Sequence, residues 1–143
     1  MKAGRTGSAL LWLASSSPRR RAILRELGFE FRLLRPGPDL PLSAGPTDPV
    51  AYAIANARHK ALTAAHDVND GLVIGCDTIV HLRNRVLGKP AGAVDAHQIL
   101  EFLSGRTHRV ISGIAVATRP GRRVFVSNSM RFMPIQGAQK ILG

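Results

Sequence analysis

The segment LASSSPRRR, Leu13–Arg21, joins a short apolar run to a stretch with a helical pattern. Ser17 is a typical N-cap residue and Pro18 a typical first helical residue, so we expect a helix to begin at Pro18. Three arginines then fill the first turn, where an exposed cation opposes the helix dipole at a cost of up to about 1 kcal/mol. A phosphate bound by backbone N–H groups, serine hydroxyls and guanidinium groups would offset that cost. Two interpretations stay open, a phosphate site and a solvated basic helix start.

Apolar patterning along the chain predicts an alternation of strands and helices. Five segments have the pattern of strands: Ser8–Ala14, Phe29–Arg35, Leu72–Leu82, Thr107–Arg119 and Arg123–Met133. Three helices are predicted to begin near Pro18, Asp48 and Val94. The last two strands are separated by a Pro-Gly turn and form a predicted hairpin. The alternation predicts an α/β fold in which a mixed, mostly central β-sheet is flanked by helices.

Two of the predicted helices carry apolar stripes that we expect to face the core. The first stripe consists of Ile23, Leu24 and Leu27. The second consists of Val50, Ile54, Ala57, Ala61 and Leu62. Because only 5% of the residues are aromatic, the core is expected to rest on Leu, Ile, Val and Ala.

The charge composition favours an anionic partner. The 143 residues suit a single domain, and 20 Lys and Arg against 9 Asp and Glu give a net charge of +11. Such a charge attracts nucleotides, nucleic acid or acidic surfaces, but a solvated basic surface explains it equally well. Charge therefore predicts no partner without further residues to support it.

Cysteine content and hydropathy bear on the cellular compartment. The single cysteine, Cys76, excludes an internal disulfide and a multi-cysteine zinc site, as is typical of a reducing cytoplasm. The apolar stretch near the N-terminus is shorter than the core of a signal peptide, and SSSPRRR follows it at once. No segment approaches the roughly 20 apolar residues of a membrane helix. We therefore expect a cytoplasmic protein with no membrane association.

Five ordered motifs resemble those of the Maf proteins, which are nucleoside triphosphate pyrophosphatases. LASSSPRR resembles the signature SxSPRR of that family. The other four motifs follow in the family's order: ANARHKA (Ala55–Ala61), IGCDTIV (Ile74–Val80), LGKP (Leu87–Pro90) and LSGRTHRVISGIAV (Leu103–Val116). The resemblance runs from about Leu13 to Phe132. It implies a single Maf-like domain over residues 1–143 with a fold of the Maf/ITPase type.

The resemblance implies hydrolysis between the α- and β-phosphates of a nucleoside triphosphate, which yields the monophosphate and diphosphate. It makes Asp77 the proton acceptor for the attacking water. The substrate-binding residues that it implies are Ser15, Ser17, Arg19, Arg20, Lys60, Thr78 and Lys89. The implied cofactor is a divalent cation, Mg²⁺, which bridges phosphates and needs few protein ligands. No residue is assigned as a dedicated metal ligand. Arg19 and Thr78 match the subgroup of the family that acts on dTTP and UTP.

Taken singly, most of these residues have an ordinary structural interpretation. A lysine such as Lys60 is usually solvated, and Asp77 on a buried strand is costly unless it is paired or used. No spacing of the histidines suggests a metal site, and His108 is given no chemistry. Cys76 is interpreted as a small core residue rather than a nucleophile, because no histidine partner is evident.

The chain departs from the family pattern in two places. The family has an Asp-Glu pair in the loop after the second strand, whereas this chain has Asp39 followed by Leu40, so Asp39 is the residue left to serve in part. Family members are also longer, and the segment AGAYxIQG and a closing helix are not found. Gln136 lies in an IQG sequence that is either a coincidence or the product of an internal deletion. The C-terminal part of the domain is therefore expected to be incomplete, with an exposed sheet edge or apolar face that favours association, such as a homodimer.

Three classes of function are considered. The first is a pyrophosphatase acting on dTTP and UTP. The second is a catalytically impaired protein that binds nucleotide or nucleic acid without turnover. Nucleic acid ranks lower because it requires stacking aromatics on a basic face, and Trp12 and Tyr52 are isolated. The third is a role in division arrest through protein partners, for which the sequence offers no residue.

Overall fold

The computed structural model describes residues 10–42, 45, 47–88, 90–118 and 124–134. The elements follow one another in this order: β1 (Leu11–Ala14), α1 (Pro18–Glu26), β2 (Arg32–Leu34), α2 (Pro49–Ala65), β3 (Leu72–Leu82), β4 (Arg85–Leu87), α3 (Ala93–Leu103), β5 (Thr107–Thr118) and β6 (Val124–Pro134). The predicted α/β class is confirmed. The predicted bounds of β3 are also confirmed, whereas the predicted Phe29–Arg35 strand shortens to β2.

The described strands form one mixed sheet in the order β2-β1-β3-β5-β6, and β4 pairs with the far end of β3. β1 is parallel to β2 and β3, whereas β5 is antiparallel to β3 and β6. The predicted hairpin of the last two strands is therefore confirmed. Arg83 and Asn84, both with positive φ, form the tight turn between β3 and β4.

The register of the parallel pair brings the first sequence motif to the middle of β3. Ala14, the last residue of β1, pairs with Gly75. β3 continues beyond this point, so Asp77 and Thr78 lie just past the end of β1, where the chain leaves the sheet for α1. Ligands of α/β proteins commonly bind where parallel strands end in this way.

Helix α2 lies directly against β3 and β5 through residues without large side chains. Ala53, Ala57 and Ala61 follow one another at intervals of four and are fully buried. A Cβ added to Gly75 would lie 2.5 Å from the carbonyl oxygen of Ala57 and 2.6 Å from the amide nitrogen of Ala61. A Cβ added to Gly113 would collide with the carbonyl oxygen of Ala53. Glycine at these two positions therefore allows the close approach of α2 to the sheet.

The two predicted apolar stripes have different outcomes. In α2 the prediction is confirmed for Ala57 and Ala61, while the larger members of the stripe are only half-buried. In α1 it is wrong, because the helix buries none of its residues, and Ile23 and Leu27 are 46% and 63% exposed. The physical reason is that the described interactions of α1 with other segments are made by arginines, Arg20 with Ser15 and Thr78 and Arg25 with the Phe31 ring, while Ile23 stays open to solvent.

We expect Gly75→Ala to lower the free energy of unfolding by about 1–3 kcal/mol, since the added methyl group would meet helix backbone that has no room to move. Urea unfolding monitored by circular dichroism measures this change. Gly88→Ala is the matched control, because a Cβ there meets nothing within 4 Å. Equal losses in the two variants would contradict the close packing of α2 on β3.

Candidate active site

The loop between β1 and α1 is organised by two serine hydroxyls. Ser15 is 4% exposed, and its Oγ accepts hydrogen bonds from the Ser17 backbone N–H (3.2 Å) and from Arg20 Nη1 (3.1 Å). Ser17 is the N-cap of α1, with its Oγ accepting from the Arg20 backbone N–H at 3.4 Å. The predicted cap is thus confirmed, and both serines act on the same arginine. Arg19 is exposed.

Arg20 links this loop to β3. Its Nη2 donates to Thr78 Oγ1 at 3.1 Å, and the Thr78 and Ser112 hydroxyl oxygens are 2.9 Å apart. Because Thr78 accepts from Arg20, its own proton is available to Ser112. Ser112 was not predicted as a site residue. The signal that would have found it is the register of β3 and β5, in which Thr78 and Ser112 are directly opposite.

Asp77 is a nearly buried carboxylate beside a lysine of α2. The residue is 8% exposed, and its Oδ1 lies 3.7 Å from Lys60 Nζ. Its Oδ2 is buried and has no hydrogen-bond partner among the described residues. A buried oxygen that lacks a hydrogen-bond partner costs about 1–3 kcal/mol or more in stability. An unsatisfied group of this kind is expected where the side chain meets a ligand.

Lys60 also contacts the loop between β2 and α2. Its Nζ is 2.6 Å from Asp39 Oδ1, so the lysine bridges two carboxylates. Asn56 Oδ1 accepts from the Leu40 backbone N–H at 2.8 Å, and Asn56 Nδ2 donates to Asp39 Oδ1 at 3.2 Å. The Tyr52 hydroxyl donates to the Leu40 carbonyl at 2.7 Å. Neither Asn56 nor Tyr52 was predicted from the sequence as a site residue. The available signal was a polar residue amid the buried alanines of α2.

These groups surround an open cavity of about 110 Å³. Its polar lining consists of Asp39, Tyr52, Asn56, Lys60, Asp77 and Thr78. Arg20 joins this set through its bond to Thr78. Gly88 also lines the cavity, and Lys89, which follows it, lies outside the described residues. The cavity is smaller than the roughly 300 Å³ at which small-molecule sites begin, so the described residues enclose only part of a nucleotide-sized ligand.

Cys76 and His81 do not take part in this polar cluster. Burial raises the pKa of the Cys76 thiol above its ordinary value and Asp77 adds to the rise, while Arg20 and Lys60 oppose it. The thiol is therefore protonated near neutral pH, as expected for a residue that is not a nucleophile.

His81 Nδ1 accepts from Arg109 Nη2 at 2.6 Å. Its pKa is lowered first by burial and then by Arg109, although Asp48 acts in the opposite direction.

The residues at the cavity fit the Mg²⁺ ion that the resemblance implies. No cluster of three or more His, Cys, Asp or Glu side chains occurs in the part of the chain that the structure describes. Asp77 and Asp39 nevertheless line the same cavity, and one buried oxygen of Asp77 lacks a protein partner within those residues. Mg²⁺ is commonly bound by one or two carboxylates together with the phosphates of a substrate.

Comparison with known proteins agrees with this geometry. The sequence profile of the Maf-like protein family matches residues 10–140. The chain belongs to the Maf family. The matched range contains all the polar residues around the cavity. The membership also agrees with the mixed sheet and flanking helices described above.

Three curated Maf relatives are similar to most of this chain, and each is named dTTP/UTP pyrophosphatase. The relative from Thermomicrobium roseum is 44% identical over 119 residues, which are 83% of this chain and 54% of the relative. That from Pelotomaculum thermopropionicum is 42% identical over 81% of this chain and 60% of its own length. The Anaeromyxobacter relative is 41% identical over 90% of this chain and 63% of its own length. The chain thus spans between half and two thirds of these Maf relatives. None of the described helices combines the length and apolarity required to cross a bilayer.

We expect Cys76 to react with a thiol-specific disulfide reagent at pH 8 about tenfold or more slowly in the folded chain than in urea. The reason is that the raised pKa and burial of the thiol reduce the reactive thiolate. The single cysteine makes the absorbance change specific to this residue. A folded-state rate equal to the unfolded-state rate would contradict the described environment of Cys76.

Proposed function

We propose that this chain hydrolyses dTTP and UTP, and that the products are the nucleoside monophosphate and inorganic diphosphate (pyrophosphate). The observation that carries the proposal is the buried Asp77 carboxylate, which has one oxygen near Lys60 and the other without a partner among the described residues. The names of the three Maf relatives support the same substrates. The chain spans only part of those relatives, so its activity and substrates rest on this proposal and its test.

The phosphates would be held by groups from separate elements. Arg20 is oriented by Ser15 and Thr78, and its guanidinium group has further N–H donors for phosphate oxygens. Lys60 enters from α2 on the other side of Asp77. Ser17, Arg19 and Lys89 complete the predicted binding set. Fixed cations of this kind stabilise the charge that develops on the phosphates in the transition state.

Asp77 would act as the general base. Its Oδ2 accepts a proton from a water molecule as the water oxygen forms a bond to phosphorus. The anhydride bond between the α- and β-phosphates breaks, and the diphosphate leaves with the electrons of that bond. Lys60 lies nearer to Oδ1, which leaves Oδ2 for the proton.

A bound Mg²⁺ ion would neutralise phosphate charge in this site. Asp77 and Asp39 are the described carboxylates that would hold it. Lys60 lies between the two carboxylates, and its ammonium group offsets one of their two negative charges, which leaves one for the cation. As a ligand of the ion, Asp39 would replace the acidic residue that the family pattern has at the position of Leu40.

Base preference, assembly and location belong to the same proposal. Thr78 and Arg19 are the residues that favour dTTP and UTP. A cytoplasmic location fits the single cysteine and the nucleotide substrate. A homodimer would rest on apolar side chains that the structure leaves exposed, Ile23 in α1, Leu27 at its C-cap and Ile114 in β5.

The alternative is a Maf-like protein that binds nucleotide without turnover. One observation favours it, namely that Leu40 stands where the family has an acidic residue. Nucleic acid is the weaker ligand. Tyr52 is 5% exposed and bonded to Leu40, and Trp12 Nε1 donates to the Asp70 carbonyl, so neither ring is arranged for stacking on bases.

We expect the purified chain to release diphosphate from dTTP and UTP in the presence of Mg²⁺, and Asp77→Asn to lower the rate at least 100-fold because general-base catalysis is lost. Asp67→Asn is the control, since Asp67 is exposed just after α2 and away from the cavity. Diphosphate release and isothermal titration with the nucleotide are the two measurements.

The outcomes separate the two functions. Turnover that Asp77→Asn removes and Asp67→Asn preserves supports the enzyme. Nucleotide binding without diphosphate release by the unmodified chain supports the alternative. Turnover that survives Asp77→Asn contradicts the role given to this carboxylate.

A further inference from the structure

Asn56 is an unusual residue for the face of α2 on which it lies. It is 2% exposed and is one of the few buried polar residues of the described chain. Its neighbours on the buried side of the helix are Tyr52 and the alanines Ala53 and Ala57. A buried amide is retained at such a position only when its hydrogen bonds are satisfied, since an unsatisfied amide costs about 1–3 kcal/mol. The bonds of Asn56 are made to the loop that carries Asp39.

We propose that Asn56 is a positioning residue that holds the Asp39 carboxylate beside Lys60, so that Asp39 serves as the second carboxylate of the site. This inference rests on the proposed function and deepens it. Leu40 occupies the position at which the family pattern has its acidic residue, which leaves Asp39 as the acidic side chain of this loop at the cavity.

The chemistry of the amide fixes its orientation. The Leu40 backbone N–H is a donor, so the Asn56 atom that faces it at 2.8 Å must be the oxygen. The amide nitrogen is then directed to Asp39 Oδ1, 3.2 Å away. One side chain therefore binds the backbone of the loop and the carboxylate of the adjoining residue. The orientation does not depend on the assignment of O and N in the coordinates.

The helix geometry places both donors of Asp39 on one side of α2. Asn56 and Lys60 are four residues apart, so their side chains are neighbours on the helix surface. Both reach Asp39 Oδ1, at 3.2 Å and 2.6 Å respectively. Because α2 is fixed against the sheet, the position of Asp39 is fixed relative to Asp77 on β3.

The need for a positioning residue follows from the exposure of Asp39. Its side chain is 64% exposed on a loop rich in proline and glycine. An exposed ion pair such as Asp39–Lys60 contributes only about 0–1 kcal/mol, which is too little to fix a flexible carboxylate. The bond from Asn56 adds a second donor from a rigid element, and the Tyr52 hydroxyl holds the Leu40 carbonyl, which belongs to the next peptide group of the loop. Preorganisation of this kind raises the effectiveness of a site residue.

A double-mutant cycle tests the proposal. We expect Asn56→Ala to lower kcat/KM for dTTP about tenfold in the unmodified chain and less than twofold in the Asp39→Ala background, because Asn56 acts through Asp39. Tyr52→Phe is the comparison, since it removes a bond to the same loop without touching the carboxylate. Its coupling to Asp39→Ala should be smaller than that of Asn56→Ala, because Tyr52 reaches the carboxylate only through the loop. Equal effects of Asn56→Ala in both backgrounds would overturn the proposal.

A second variant guards against loss of the fold. Asn56→Asp keeps the shape and the acceptor for the Leu40 N–H, and puts in place of the donor to Asp39 a carboxylate oxygen that repels Asp39 when both are ionised. We expect Asn56→Asp to lower kcat/KM for dTTP at least tenfold, as Asn56→Ala does. In the Asp39→Ala background, we expect kcat/KM with Asn56→Asp to lie within twofold of the value for Asp39→Ala alone. Thermal unfolding confirms that the compared variants are folded. A loss that persists in the Asp39→Ala background would overturn the proposal.

For a chain that binds without turnover, the readout is the Kd for a non-hydrolysable α,β-imido analogue of dUTP with Mg²⁺, and the same non-additive pattern is expected.

The contact itself is measured from the ¹⁵N side-chain resonances of the four asparagines, of which that of Asn56 should move in Asp39→Ala. An unmoved resonance overturns the contact. A moved resonance in a chain that neither binds nor hydrolyses nucleotide overturns both the proposed function and the role of Asn56 in it. If the chain hydrolyses or binds nucleotide but the effects of the Asn56 and Asp39 substitutions are additive, only the role of Asn56 is overturned.

Discussion

The close contact between α2 and the paired strands β3 and β5 is the constraint on which the site depends. Asp77 is directly opposite Gly113 in the antiparallel register, and Gly113 is one of the two positions where a Cβ would collide with helix backbone. The other, Gly75, lies two residues before Asp77 on the same strand. The glycines therefore allow the helix to pass beside the carboxylate. A helix held further away by larger side chains would not bring Lys60 within 3.7 Å of Asp77.

The electrostatics of the site follow from that placement. Lys60 on α2 contacts both Asp77 and Asp39, and Arg20 at the start of α1 bonds to Thr78, the residue after Asp77 on β3. Arginines in a first helical turn oppose the helix dipole, and the serine loop directs one of them across to β3 rather than along the helix. The two cations are balanced by the two carboxylates, so the excess positive charge that a polyphosphate requires would come from Mg²⁺ and from the other predicted binding residues, Arg19 and Lys89.

Local sequence signals predicted the parts of the structure that local physics controls. The N-cap Ser17, the Pro18 start of α1 and the bounds of β3 depend on caps and apolar patterning, which are visible in a short window. The grouping of Arg20, Lys60, Asp77 and Thr78 was anticipated only through the family resemblance. Periodicity alone gives no reason for separate elements to meet at one cavity.

The features that were missed depend on partners distant in sequence. Asn56 interrupts an apolar stripe, and its purpose becomes visible only when the Asp39 loop is seen against it. Ser112 required the strand register. The exposed side of α1 contradicts the expectation drawn from its spacing, because an apolar stripe indicates a face that favours burial but does not supply the surface that buries it.

The most direct measurement is a crystal structure of the chain with Mg²⁺ and the α,β-imido analogue of dUTP. We expect the phosphates to lie between the Arg20 guanidinium and the Lys60 ammonium group, with Asp77 Oδ2 facing the α-phosphorus on the side opposite the bridging nitrogen, where an attacking water must approach. A nucleotide bound elsewhere on the chain, with the cavity beside Asp77 filled only by solvent, would contradict this expectation.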